Sequence, residues 1–270
     1  MQYFFLVLIF FIGTALGSFI SVIANRYNTG LSFMKGRSVC FSCNTELKNK
    51  DLFPIFSFLF LKGKCRYCGS KIPKETFITE ILMGVLTVVA FLKFGLFLNF
   101  VLVTAIFGVI LLISIYDIKH FIIPDSFLIS LFVLSLIHNS YFIILNSLPF
   151  TSYLLSLASG IVLTIPFLLI FIISKGTWFG FGDVKYILVL GFLLGFSVGL
   201  SAIVLSFWIG AVVSLTMLIA KKIAHRINLP LLRNNLTIKS EIPFGPFLSL
   251  GIIISFCLNL DLFHVNELFF

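Results

Sequence analysis

The stretch "YILVLGFLLGFSVGLSAIVLSFWIGAVVSLTMLIA", residues 186–220, contains no charged residue. As one helix it would reach roughly 50 Å, against a bilayer hydrocarbon core of about 30 Å. The segment "GFSVGLS" (195–201) offers a turn that divides it into two short spans. Lysine and arginine decide between one crossing and two, because these residues collect in cytoplasmic loops. Residues 26–75 carry ten of them: Arg26, Lys35, Arg37, Lys48, Lys50, Lys62, Lys64, Arg66, Lys71 and Lys74. Lys119, Lys175 and Lys185 lie in two further loops, and Lys221, Lys222, Arg226, Arg233 and Lys239 in the loop 221–241. Two crossings between 186 and 220 put all of these on one side and leave only Lys93 opposite. One crossing would export the 221–241 cluster.

The other uncharged runs complete the count. Residues 1–25, 76–92 and 94–116 each read as one span, the second interrupted only by Glu80. Residues 126–174 are too long for one, and "HNSYF" (138–142) or "NSLPF" (146–150) supplies the break. Residues 242–260 form the last. The expectation is an all-α polytopic membrane protein of about eight transmembrane helices, with both termini outside. The residues divide into a first helix (1–25), a cytosolic loop (26–75) and a membrane domain of about seven helices (76–270). The first 25 residues have no basic start or small-residue cleavage site, so they read as a retained span. Composition agrees: 60% hydrophobic residues, 11% charged, and 35 phenylalanines, against about 25% charge in soluble domains. The formal charge of +9 follows from loop asymmetry and calls for no nucleic acid.

The loop 26–75 contains Cys40-x2-Cys43 and Cys65-x2-Cys68. Two such knuckles can close a tetrahedral four-thiolate zinc site. A loop of this size buries little core, and a metal supplies the missing folding energy. The alternatives are two disulfides or unbonded thiols, and a cytosolic position disfavours disulfides. Lys64 and Arg66 are placed to stabilise thiolates, and Gly69 lets the chain turn after the second knuckle. Cys257, in an apolar run, reads as a small buried hydrophobe.

Five of the ten acidic residues fall near the membrane: Glu80, Asp117, Asp125, Asp183 and Glu241. Asp117 ends the third span and Asp183 begins the sixth, so two crossings separate them and both stand at the cytosolic edge. Two carboxylates held together cannot both ionise easily and share a proton. One then serves as base on a water while the other hydrogen-bonds a scissile carbonyl. The residues alone equally allow two solvated helix ends. Gly180 and Gly182, flanking Asp183, would let backbone approach an extended peptide, and Lys185 stands beside them as a snorkelling cation or substrate contact. Asp125 reads as a helix N-cap, and Glu80 as a first-turn acid that favours the helix dipole.

Taken in order, these motifs resemble the type IV prepilin peptidases, the bifunctional leader peptidase/N-methyltransferases of type IV pilus, type II secretion and competence systems. "LGSFISVIANR" (16–26) is similar to the family's opening segment. "CFSC" (40–43) and "FPIFSFLFLKGKCRYCG" (53–69) resemble its tetracysteine loop. "YDIKHFIIPD" (116–125) resembles the segment of the first catalytic aspartate, which falls on Asp117. "GFGDVK" (180–185) matches the GxGD motif of the second, which falls on Asp183, and "IPFGPFLSLG" (242–251) resembles the closing segment. The resemblance implies an inner-membrane aspartic endopeptidase. It would cleave prepilin or pseudopilin substrates after a glycine at the cytosolic face and then methylate the new N-terminus from S-adenosylmethionine. The chain departs from the family pattern at Phe41 and Ser42, where a proline is frequent, at Phe58 (a tryptophan) and at Ser21 (an asparagine). All four lie in the third of the chain that the family associates with methylation.

Two other classes remain open on the residues. An ion-coupled transporter would also carry membrane carboxylates, but near the midplane. An assembly-platform protein would cleave nothing.

Overall fold

The computed structural model describes residues 2–95, 98–226 and 243–263. Nine α-helices are found there: α1 (Gln2–Arg26), α2 (Phe56–Phe60), α3 (Lys74–Phe94), α4 (Leu98–His120), α5 (Asp125–Leu145), α6 (Phe150–Ser174), α7 (Phe181–Leu194), α8 (Phe196–Arg226) and α9 (Gly245–Leu258). The described residues contain only two isolated antiparallel bridges and no sheet. Apart from the short α2, these helices occupy the stretches expected as spans. Six of them are long and apolar enough to cross a membrane: α1, α3, α4, α5, α6 and the Phe196–Ala220 part of α8. The remaining two, α7 and α9, have 14 residues each, or about 21 Å.

Local sequence explains the breaks. Gly195, at φ 74°, ends α7, and its amide donates to the Gly191 carbonyl. That glycine alone makes the turn, and α8 starts at once. The long 126–174 run breaks at "NSLPF", not at "HNSYF". Asn146 closes α5, and Pro149 is the N-cap of α6. The basic cluster expected in 221–241 lies, beyond Arg226, outside the described residues, as does Glu241.

The chain forms two compact units, Met1–Tyr116 and Asp117–Phe270. In the first, α1 and α3 pack through small residues. A Cβ on Gly17 would stand 2.7 Å from the Thr79 carbonyl oxygen, and one on Gly13 would stand 2.9 Å from the Cα of Gly84. Helices in lipid associate by such close backbone approach, because no hydrophobic effect drives them together. In the second unit, Gly160 of α6 and Gly191 of α7 make the same kind of contact, at 2.8 Å. The core of this unit centres on α7, where Tyr186, Ile187 and Leu190 are fully buried.

Glu80 departs from expectation. It lies in the second turn of α3, is buried, and accepts the Ile55 amide at 2.7 Å together with the Ser18 hydroxyl. Ile55 has φ 64° and ψ −54°, and the Phe56 amide reaches back to the Pro54 carbonyl at 2.6 Å. This is a γ-turn of the rare positive-φ kind, centred on a β-branched residue that disfavours it. The carboxylate satisfies the amide that this turn turns away from the chain. Glu80 is thus a tie between the cysteine loop and α3, and its role as a helix-dipole acid is not the one the structure gives it.

Candidate active site and metal centre

In the second unit, Asp117 occupies the last turn of α4 and Asp183 the first turn of α7. Asp183 stands at the start of the sixth expected span, as the sequence places it. It is the third residue of the helix, and Gly180, the N-cap, donates its amide back to it. A Cβ on Gly180 would stand 3.2 Å from Asp183 Oδ2, and a Cβ on Gly182 would stand 3.2 Å from the Ile123 Cβ. Neither glycine has positive φ. They are small because side chains would crowd the carboxylate and the α4–α5 connection.

Asp117 is buried and accepts the Gly245 amide at 3.0 Å. Gly245 is the first residue of α9, so the carboxylate sits on that helix's N-terminus, where the backbone dipole favours negative charge. A Cβ on Gly245 would lie 2.5 Å from Asp117 Oδ2, which leaves room for glycine only. The two aspartates lie close enough for Asp117 to act electrostatically on Asp183, and both act on Tyr186. The Tyr186 hydroxyl lies 2.9 Å from Ser249 Oγ, which donates to the Gly245 carbonyl at 2.9 Å. Tyr186 and Ser249 therefore brace the turn that holds Asp117. Sequence reasoning missed them; the only available signal was two polar groups inside apolar runs, and that does not say where they meet.

Lys185 does not snorkel alone. Its ammonium pairs with Asp125 and lies 5.0 Å from the centre of the Phe181 ring. Asp125 is the first residue of α5; Pro124 is the N-cap, with no side-chain cap hydrogen bond. The N-cap reading of Asp125 is thus replaced by an ion pair that joins the starts of α5 and α7.

In the first unit, the four cysteines come together. The sulfurs of Cys40, Cys43, Cys65 and Cys68 lie within 4.8 Å of one another, and none is in a disulfide. The knuckles are built alike, a correspondence the sequence reading did not see. Cys40 and Cys65 each donate an amide to the residue five positions on, Thr45 and Ser70, at 3.0 and 2.8 Å. Asn44 (φ 52°) and Gly69 (φ 72°) supply the same left-handed turn. Thr45 and Ser70 place hydroxyls 3.2 and 3.0 Å from the sulfurs of Cys43 and Cys68. Amides of Ser42 and Cys43 lower the Cys40 thiol to about 6, and the Ser70 hydroxyl and amide lower that of Cys68. The Cys65 thiol is instead pushed up, although the Cys68 and Tyr67 amides favour its thiolate, because burial and the neighbouring Cys40 and Cys68 sulfurs disfavour a further charge; a cation among the four sulfurs would offset that repulsion, and the cluster can hold a metal ion.

Arg66 has a different task from the one expected. Its Nε donates to Asp51 Oδ1 at 2.6 Å, and the Tyr67 hydroxyl donates to Oδ2 at 3.0 Å. Burial disfavours the Asp51 charge, but these donors and the Lys48 amide outweigh it and hold the carboxyl below its ordinary range. Both donors come from between Cys65 and Cys68, so Asp51 fixes the second knuckle.

A multi-pass helical membrane protein with paired aspartates at two helix ends and a separate thiolate cluster is the architecture of an intramembrane aspartic peptidase carrying a metal-binding insertion. Residues 11–94 match the Bacterial Peptidase A24 N-terminal domain, and residues 104–215 match the Type IV leader peptidase family. The prepilin leader peptidase/N-methyltransferase of Bacillus subtilis (strain 168) is 29% identical over 254 residues, 92% of each chain. That of Stutzerimonas stutzeri is 26% identical over 237 residues, covering 86% of this chain and 75% of its own. The Vibrio cholerae protein of the same name is 24% identical over 211 residues, covering 72% and 79%. No solved structure matches the chain. The chain belongs to the type IV prepilin peptidase family.

Proposed function

We propose that this protein is an inner-membrane aspartic endopeptidase that removes the leader of type IV prepilin-like substrates after a glycine, at the cytosolic membrane face. The observation that carries this reading is that Asp117, seated on the Gly245 amide, is tied through Ser249 to Tyr186, one turn along α7 from Asp183, in a chain of this peptidase family. Asp117 and Asp183 are the catalytic residues. One accepts a proton from water as its oxygen attacks the scissile carbonyl. The other, protonated, hydrogen-bonds the carbonyl oxygen and stabilises the charge that develops there. Collapse of the tetrahedral intermediate breaks the C–N bond, with a proton delivered to the leaving amine. Gly180 keeps the approach to Asp183 open to an extended peptide, Gly182 lets the start of α7 pack against Ile123, and Lys185 lines the same helix start.

The new α-amine is then methylated from S-adenosylmethionine, as the names of the related proteins indicate for them. The metal of the cysteine cluster is zinc. Two CxxC pairs supply the four thiolate ligands that zinc takes in closed sites, and their sulfurs lie within 4.8 Å of one another. Four protein ligands leave no open position, so the ion would be structural.

The test is incubation of the purified protein, in detergent, with a peptide that has a basic leader and a Gly–Phe junction, read by mass spectrometry. Asp117→Asn and Asp183→Asn are each expected to lower cleavage by at least about a hundredfold, while Glu46→Gln, in the exposed loop, cleaves as wild type. Cleavage at the wild-type rate by either aspartate variant would overturn the assignment.

A further inference from the structure

The loop 26–75 contains its own apolar run, "LFPIFSFLFL", residues 52–61. A water-exposed loop has no use for such a segment, and three contacts tie it alongside membrane helices. The Ile55 amide reaches Glu80 at 2.7 Å, about 9 Å along α3 from its first residue, Lys74. Phe58 stacks on Phe77 of α3, with ring centres 4.6 Å apart. Phe56 stacks on Phe11 of α1 at 5.5 Å. Phe11 lies about 22 Å along α1 from Arg26, the last residue of that helix. The segment therefore descends beside α1 and α3 well below the level at which either helix ends.

Its backbone suits such a place. Non-helical chain at bilayer depth is tolerated only where its polar groups are satisfied. The γ-turn amide goes to the Glu80 carboxylate, and α2 follows at once. The Gly63 amide closes the segment on the Phe58 carbonyl at 2.8 Å. Phe53, Leu59 and Phe60 remain exposed, Phe60 at 83%. Lys48 and Lys50 precede the segment and Lys62 and Lys64 follow it, as cations flank a segment whose two ends return to the headgroup layer.

We propose that residues 52–61 form a re-entrant membrane segment, seated in one leaflet against α1 and α3, with Phe53, Leu59 and Phe60 in contact with lipid acyl chains. The cysteine cluster is thereby held on the membrane surface, not on a free loop in the cytosol. This inference stands on the contacts of the first unit and is independent of the peptidase assignment.

The experiment uses the full chain in vesicles of phosphatidylcholine and phosphatidylglycerol, with Trp178 and Trp208 replaced by Phe. Single tryptophans are then introduced by Phe60→Trp, by Leu82→Trp on the exposed face of α3 and by Glu46→Trp in the exposed loop. The Phe60→Trp protein is expected to emit at short wavelength and to be quenched by lipids brominated in mid-chain, as Leu82→Trp is. Glu46→Trp should emit at long wavelength and respond to aqueous iodide instead. Phe53→Trp provides an independent reading should the first variant fail to insert. Iodide quenching without bromine quenching at position 60 or 53, or quenching only by lipids brominated at the headgroup end, would overturn the proposal.

Discussion

Gly245 shows how much a missing methyl group can decide. Its amide holds Asp117 Oδ2 at 3.0 Å, and the space where a Cβ would sit is already filled by that oxygen. An alanine would have to push the carboxylate or the start of α9 away. Because Ser249 is bonded to the Gly245 carbonyl and to Tyr186, the helix start cannot retreat without breaking a buried pair. The carboxylate is the part that moves. A displacement of about an ångström in a catalytic group costs on the order of a hundredfold in rate. Gly245→Ala is therefore expected to insert and fold but to cleave the Gly–Phe peptide on the order of a hundredfold more slowly, with the loss in kcat and not in KM. Turnover by this variant at the wild-type rate would mean that Asp117 is not held by α9. The sequence offered "IPFGPF" as a motif by resemblance; it did not say that the glycine is an aspartate's seat.

At the scale of the element, the cysteine loop was legible in its donors and illegible in its supports. Two CxxC pairs announce a thiolate cluster because metal chemistry demands that spacing. Asn44 and Gly69 as equivalents, Asp51 under Arg66, and Glu80 under Ile55 are tertiary facts between chemically different or distant residues, and no periodicity records them. The spans were readable for the opposite reason, since the bilayer imposes one length and one polarity on every crossing. Where the helix starts lie was less so, and Asp125, read as an N-cap, is the first residue of α5. Asp51 gives the loop a measurable pH dependence. Its carboxyl is held below the ordinary value of about 3.9. A depressed pKa contributes stability that is fully present above the unfolded value and is lost only as pH falls through the lower folded value. Asp51→Asn should therefore make the loop more susceptible to a soluble protease at neutral pH, and the difference from wild type should persist down to about pH 4 and vanish below it. Protonation of the thiols releases the ion from both proteins, so zinc content is followed on the same samples and the comparison is read only over the pH range in which both retain it. A difference that disappears between pH 7 and 5 would assign the effect to another group.

At the scale of the molecule, the boundary between the two compact units falls between Tyr116 and Asp117. Both aspartates thus belong to one unit and all four cysteines to the other, and the two family matches, 11–94 and 104–215, divide the chain in nearly the same way. If chemistry follows this division, cleavage requires the second unit and methyl transfer depends on the first. The departures at Ser21 and Phe58 fall in the first. Ser21, in α1, is buried with no hydrogen-bond partner for its hydroxyl among the described residues, whereas Phe58 is stacked on Phe77, so the loop has accommodated the second departure by packing. Replacing Cys40 and Cys43 by Ser removes two of four ligands, and a closed metal site that loses its ion loses the folding energy the ion supplies. The aspartates, Gly245, Tyr186 and Ser249 all belong to the other unit. The double variant is accordingly expected to release its zinc, to keep cleaving the Gly–Phe peptide within about threefold of wild type, a change of less than ~1 kcal/mol, and to lose most methylation of the product. Mass spectrometry separates the two outcomes on one sample, since wild-type product supplied with S-adenosylmethionine carries an added methyl group and the variant's product does not. Cleavage lost together with methylation would show that the loop is structural for the whole enzyme. Unmethylated product from wild type itself would remove methyl transfer from this chain and leave a peptidase alone.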